Sequence, residues 1–217
     1  MSVRTIGGSE RLGLVVATTN RGKLEELKLL LAGLPVDVHA LDELVARPSA
    51  VVEDGATFAE NAIKKARAAA DMTEMLALAD DSGLEVDALD GRPGVRSARF
   101  AGEDATDAEN CAALLAAVAD SGKSPPFRAR FRCVLALVDA RSVGEKPSPA
   151  PLTVEGLCSG TITLAPRGTG GFGYDPIFIA DGMEKTMAEL SRAEKNRVSH
   201  RARALETLRP LLARRAG

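Results

Sequence analysis

Asp80-Asp81-Ser82-Gly83 follows the apolar run Leu76–Ala79, so two adjacent carboxylates stand at the end of an expected strand. Open α/β sheets place their ligands at strand ends. A carboxylate pair there could hold a hard divalent cation such as Mg²⁺, which takes oxygen ligands and keeps several waters for chemistry. Glu53-Asp54-Gly55 could supply a further carboxylate. The same four residues also have the composition of a tight turn with solvated acids. A second stretch, Thr18-Thr19-Asn20-Arg21-Gly22-Lys23, joins an apolar run to helical spacing. Hydroxyls, an amide and a Lys at a helix N-terminus suit an anion, since free amides and the helix dipole favour negative charge there. Leu24 stands where a phosphate loop of the Walker type needs Ser or Thr after its Lys. The plainer role of this stretch is a helix cap at Asn20 with Lys23 in solvent.

Gly168-Thr169-Gly170-Gly171-Phe172-Gly173 matches G-x-G-x-x-G, but Tyr174-Asp175-Pro176 and a strand follow it. A dinucleotide fingerprint needs a helix in that place. What remains is either a flexible loop or a glycine-lined wall with Phe172 free to stack on a flat ligand. Lys195, His200 and Arg201 gather around Ser199 at a helix junction. The chain has only two histidines, so a Ser-His-Asp triad or His-rich metal site has little material. His200 beside Arg201 better suits recognition of a carbonyl-bearing base.

The elements that must carry these residues read as follows. Leu12–Thr18 is a strand buried on both faces. Leu24, Leu27, Leu30 and Leu31 form a helical stripe ended by Gly33 and Pro35, and Val36–Ala40 is a second strand. Thr57-x-x-Glu60 has the capping-box pattern and opens a helix to about Asp71, with Phe58, Ala62, Ile63, Ala66 and Ala69 inward. After the expected turn, Leu84–Leu89 resumes as a strand. Thr106-x-x-Glu109 caps a helix with Cys111, Leu114, Leu115 and Val118 inward. Phe127–Asp139 and Leu152–Leu164 read as long strands pairing antiparallel, and Ile177–Ile179 as a short one. Ser191-x-x-Glu194 opens the last helical region, with Val198, Ala202, Leu205, Leu208 and Leu212 as its buried stripe. Residues 1–11 read as a loose extension and Arg141–Pro151 as a variable loop, leaving 12–217 as one domain. The order implies α/β with a mixed sheet rather than a repeating βαβ wind.

Composition bounds the function. The chain has 217 residues, enough for a sizeable core without disulfide or structural metal. Its 28 basic and 30 acidic residues give a net charge of −2, which advertises no broad basic face for a nucleic-acid polymer. Three widely spaced cysteines (Cys111, Cys133, Cys158) make no zinc knuckle and imply reduced thiols in a cytoplasmic protein. No apolar run reaches the length of a membrane span.

Taken in order, these motifs resemble one family. They run Thr18-Thr19-Asn20-x-Gly22-Lys23, then Glu53-x-Gly55-x-Thr57-Phe58-x-Glu60-Asn61-Ala62-x-x-Lys65-Ala66, then Ala79-Asp80-Asp81-Ser82-Gly83-Leu84. Pro93-Gly94-Val95-x-Ser97-Ala98-Arg99-Phe100, Gly102–Thr106, Gly168–Phe178 and Glu189-Leu190-x-x-x-Glu194-Lys195-Asn196-x-x-Ser199-His200-Arg201 complete the series. The chain resembles the inosine triphosphate pyrophosphatase family over about residues 12–212. The resemblance implies an elongated mixed sheet flanked by helices, with two lobes and a cleft between them. It implies a homodimer and Mg²⁺-dependent hydrolysis of ITP, dITP and XTP to the monophosphate and pyrophosphate. By the same resemblance Asp81 is the catalytic carboxylate and a metal ligand and Glu53 a further metal ligand, with Asp80 added as the other half of the acidic pair. Thr18, Thr19, Asn20, Arg21, Gly22, Lys23, Lys65 and Ser82 would meet the substrate's phosphate end. Phe172, Gly173, Tyr174, Asp175, Lys195, His200 and Arg201 would hold the purine. The competing expectations are a purine-nucleotide binder without turnover and a related pyrophosphatase for modified pyrimidine triphosphates.

Overall fold

A computed structural model describes residues 11–140 and 150–216. Strand β1 (Leu12–Val16) leads through helix α1 (Arg21–Leu31) to β2 (Val36–Ala40), which pairs with it in parallel. A single turn, α2 (Leu41–Leu44), follows, and then α3 (Phe58–Thr73). Next come β3 (Leu76–Val86), α4 (Asp107–Ala119), β4 (Phe127–Asp139) and β5 (Leu152–Ile162). The chain ends with β6 (Phe178–Ala180), α5 (Arg192–Val198) and α6 (His200–Ala216). The sheet order is β2-β1-β3-β4-β5-β6, and every pairing beyond β1–β3 is antiparallel. The expected mixed sheet is therefore present. Among the described residues no helix is long and apolar enough to cross a membrane.

Alternation along the long strands sorts the core onto two faces. Leu76 and Leu78 of β3 with Cys133, Leu135 and Leu137 of β4 pack beneath α1 and α6. Ala77 and Ala79 with Val134, Ala136 and Val138 pack beneath α3. That helix offers Ala62, Ala66, Ala69 and Ala70, small residues that let it lie close to the sheet. Beyond Leu84 the same strands enter a third cluster with α4 and β6, built around Phe127, Phe131 and Phe178.

Two expectations are corrected. Asp80-Asp81-Ser82-Gly83 forms no turn, because β3 runs unbroken from Leu76 to Val86 and pairs with β4 throughout. The ladder satisfies the backbone, and Lys23, Lys65 and Arg201 pair with the carboxylates that a turn would have sent to solvent. Thr57 does cap α3 by accepting from the Glu60 amide. The Glu60 carboxylate, however, accepts from Ala56 N at 2.7 Å, one residue before the reciprocal position of a capping box. Full boxes form at Thr106/Glu109 and Ser191/Glu194. Of the expected extension only Arg11 is described, and its guanidinium donates to the Leu34 and Val36 carbonyls. Residues 141–149 of the expected loop lie outside the described residues.

Candidate active site

Because Asp80 continues the Leu76/Leu78 row and Asp81 the Ala77/Ala79 row, the adjacent carboxylates face opposite sides of the sheet. Asp81 meets α3. Its Oδ1 lies 3.0 Å from Lys65 Nζ, and its Oδ2 accepts from Asn61 Nδ2 at 3.2 Å. Lys65 Nζ also lies 2.9 Å from Glu53 Oε2, so one ammonium draws two carboxylates to one point. Burial pushes the Asp81 pKa up, and the charges of Lys65 and Lys23 only partly offset that. Burial also opposes ionisation of Glu53, but there Lys65 prevails and holds the pKa below the ordinary value. The environment has set two neighbouring carboxyls apart.

Asp80 meets a different group. Its Oδ2 is 3.2 Å from Lys23 Nζ and 3.2 Å from Arg201 Nε, and it accepts from Ser82 Oγ at 3.1 Å. Desolvation of this fully buried acid is outweighed by Lys23, Arg201 and Lys65, and its pKa falls far below the carboxylate range. The three expected metal ligands thus divide: Glu53 and Asp81 converge, and Asp80 anchors cations on the other face. The first loop supplies Lys23 to that anchor. Asn20 Oδ1 accepts from Lys23 N at 3.0 Å, and Thr18 Oγ1 from Asn20 N at 3.2 Å, so the capping role of Asn20 is present. Thr19, Asn20 and Arg21 are exposed around this helix start.

The opposite wall is Gly168–Gly173. Phe172 covers two cations, with Lys195 Nζ 4.4 Å and Arg201 Cζ 5.5 Å from its ring centroid. It also presses on the first loop: a Cβ on Gly22 would lie 2.6 Å from the Phe172 ring. Asp175 Oδ2 sets this geometry by accepting from Phe172 N at 2.8 Å and Lys195 Nζ at 2.6 Å. Gly171, at φ +75°, passes so close that a Cβ would lie 2.1 Å from that oxygen. Gly173 N donates to Asp107 Oδ2 at 2.7 Å.

Not every expected purine contact lines this wall. Tyr174 is buried and its hydroxyl donates to the Ser97 carbonyl at 2.8 Å, a strut to the 94–99 turn. His200 is buried and stacked on Phe131 at 4.9 Å, with no hydrogen-bond partner for Nδ1 among the described residues. Burial, with Arg201 and Lys195 nearby, drops its pKa well below the usual histidine value, so the ring is neutral.

Three residues with no assigned role prove central. Glu26 accepts from Lys195 at 2.8 Å and pairs with Arg201. Asn61 bridges Asp81 to the Gly55 amide. Arg99 Nη2 donates to the Glu53 carbonyl at 2.8 Å. Helical spacing was the available signal for two of them: Lys23 to Glu26 is three residues and Asn61 to Lys65 four, each pair sharing a helix face.

The donor set suits a hard cation. Two carboxylates already share one ammonium, and Mg²⁺ binds through one or two carboxylates plus substrate phosphates. Among the described residues no three of His, Cys, Asp and Glu gather as a self-sufficient metal site. Nor is there a thiolate for covalent chemistry: the cysteines are free and buried, with burial pushing the thiols up to about 11 for Cys111 and about 12 for Cys133.

A sequence profile of the Ham1 family matches residues 14–211. A dITP/XTP pyrophosphatase of Geobacter sulfurreducens is 50% identical over 199 residues, 90% of this chain and 94% of that protein. The Escherichia coli (strain K12) dITP/XTP pyrophosphatase is 47% identical over 195 residues, 90% of this chain and 95% of that protein. The structure of a HAM1 protein from Coxiella burnetii superposes with a TM-score of 0.82 at 44% identity, covering 94% of this chain and 99% of that one.

Proposed function

The chain belongs to the Ham1 family, and from that premise we propose that it is a Mg²⁺-dependent pyrophosphohydrolase of ITP, dITP and XTP. It would release the nucleoside monophosphate and pyrophosphate, clearing deaminated purines from the cytoplasmic nucleotide pool. One observation carries the chemistry. The Glu53 and Asp81 carboxylates meet at Lys65, on α3, while Lys23, from the capped start of α1, reaches the neighbouring residue of β3, Asp80, from the other face of the sheet. Glu53 and Asp81 would hold the metal, which would supply charge stabilisation on the reacting phosphate. Asp81, with its raised pKa, orients the attacking water and takes its proton. The new oxygen–phosphorus bond forms at the α-phosphate as the bond to the leaving pyrophosphate breaks. Lys23 and Lys65 offset the charge of the triphosphate, and Asp80 serves as the buried anchor that aims Lys23.

Base selection has a physical source in Lys195 and Arg201 beneath Phe172. Hypoxanthine and xanthine present an O6 acceptor to such donors. Adenine presents an amine and leaves a buried donor unpaired, at roughly 1–3 kcal/mol per group. The deciding experiment is pyrophosphate release with Mg²⁺ from ITP, dITP and XTP against ATP. We expect turnover of the first three, abolition by EDTA, and a fall of about 100-fold or more in Asp81→Asn with the fold retained. Tight ITP binding without release would instead make the protein a binder. We also propose a homodimer, to be checked by light scattering: a mass near that of a single chain would refute it.

A further inference from the structure

Asp81 is gripped on both oxygens, and only one grip is a charge. Lys65 holds Oδ1, and Asn61 Nδ2 donates to Oδ2 at 3.2 Å. Asn61 is 1% exposed. Its amide orientation is fixed from the other end, because Oδ1 accepts from the Gly55 backbone amide at 2.8 Å. With Oδ1 committed as acceptor, the donor half of the amide faces Asp81. Gly55 lies two residues after Glu53 in the segment that delivers the second carboxylate. There is little slack in this arrangement, since a Cβ on Gly55 would lie 2.6 Å from Asn61 Oδ1. Asn61 and Lys65 are one helical turn apart on α3, so a single helix face holds the carboxylate by charge and by amide.

We propose that Asn61 is a positioning residue of the hydrolytic centre: its side-chain amide ties the Asp81 carboxylate to the backbone of the Glu53 segment, so the two carboxylates hold one relative geometry. This rests on the reading of Asp81 and Glu53 as the hydrolytic pair. Asn61 touches no substrate; it acts through Asp81. An outer partner that orients a ligating carboxylate typically carries 10–100-fold in affinity or activity. A side chain that merely fills space would carry neither.

The test uses the full chain and two variants. Asn61→Ala removes both bonds. Asn61→Asp keeps the volume and the acceptor for Gly55 but sets a carboxylate against Asp81. Circular dichroism and thermal melting establish which variants fold. For ITP hydrolysis we expect kcat to fall about 10–100-fold in Asn61→Ala and further in Asn61→Asp, while KM changes by less than about threefold. The second readout is binding of Mn²⁺, followed by electron paramagnetic resonance with a non-cleavable α,β-methylene analogue of ITP. We expect Asn61→Ala to weaken it about tenfold, and to have no further effect once Asp81→Asn is present. A folded Asn61→Asp variant with kcat and Mn²⁺ affinity within twofold of the parent would overturn the proposal, as would an undiminished effect of Asn61→Ala in the Asp81→Asn background. Full turnover by Asp81→Asn alone would overturn the underlying reading instead, so the two failures are distinguishable.

Discussion

His200 shows how burial decides chemistry at a single residue. Its ring lies against Phe131, fully desolvated, and its pKa sits well below the ordinary value near 6.5. The unfolded chain therefore takes up a proton as pH falls through about 6.5 and the folded chain does not. The stability this contributes is full above that pH and is lost as pH drops toward the folded value. The loss is at most about 1.4 kcal/mol per pH unit. Urea titrations of the parent and His200→Phe from pH 7 to 5 should show the flatter dependence in the variant, and equal slopes would contradict the buried neutral ring. Residue types were legible in the sequence in a way that their directions were not. The sequence offers Asp80 and Asp81 together as ligands of one ion, and only the strand that replaces the expected turn reveals that they face apart. Tyr174 lies in the run expected to hold the purine, and its side-chain hydroxyl reaches the Ser97 carbonyl.

At the scale of elements the reading was closest where apolar periodicity is long. The boundaries of β4 and α1 follow directly from Phe127–Asp139 and the leucine stripe. It missed where tertiary pairing overrides local composition, as at Asp80–Gly83, and where a helix changes direction. Ser199, extended at ψ 148°, separates α5 from α6 and turns His200 and Arg201 inward. The packing of α6 on β5 depends on Gly156, where a Cβ would lie 2.1 Å from the His200 carbonyl and 2.3 Å from Ala204 N. Those are backbone atoms and cannot swing away. Gly156→Ala should cost about 2–3 kcal/mol, and calorimetry should record a Tm lowered by about 4–12 °C. Because Arg201 rides on the displaced helix, ITP turnover should fall with it. A variant melting within 1 °C of the parent would show that α6 is free to shift.

For the molecule as a whole, β3 and β4 are shared property. Cys133, Leu135 and Leu137 belong to the cluster under α1 and α6, whereas Phe127, Ala129 and Phe131 belong to the far cluster with α4 and β6. The two halves are therefore joined by continuous strands, and the Asp81 carboxylate sits on one of them. Its wall partner Phe172 belongs instead to an exposed glycine-rich segment held by a few bonds, among them Phe172 N to Asp175 and Gly170 N to the Ala188 carbonyl at 3.1 Å. The two sides of the cleft consequently live on different clocks. In deuterated buffer the amides of Asp80–Ser82 should exchange only through global opening, while those of Gly170–Gly173 exchange through local opening orders of magnitude sooner. Exchange mass spectrometry of the free protein measures both, and equal protection of the two segments would refute the distinction. On the proposed reading, the hydrolytic carboxylate keeps its place when the glycine-rich wall opens, and what the open form loses first is its ability to tell one purine from another.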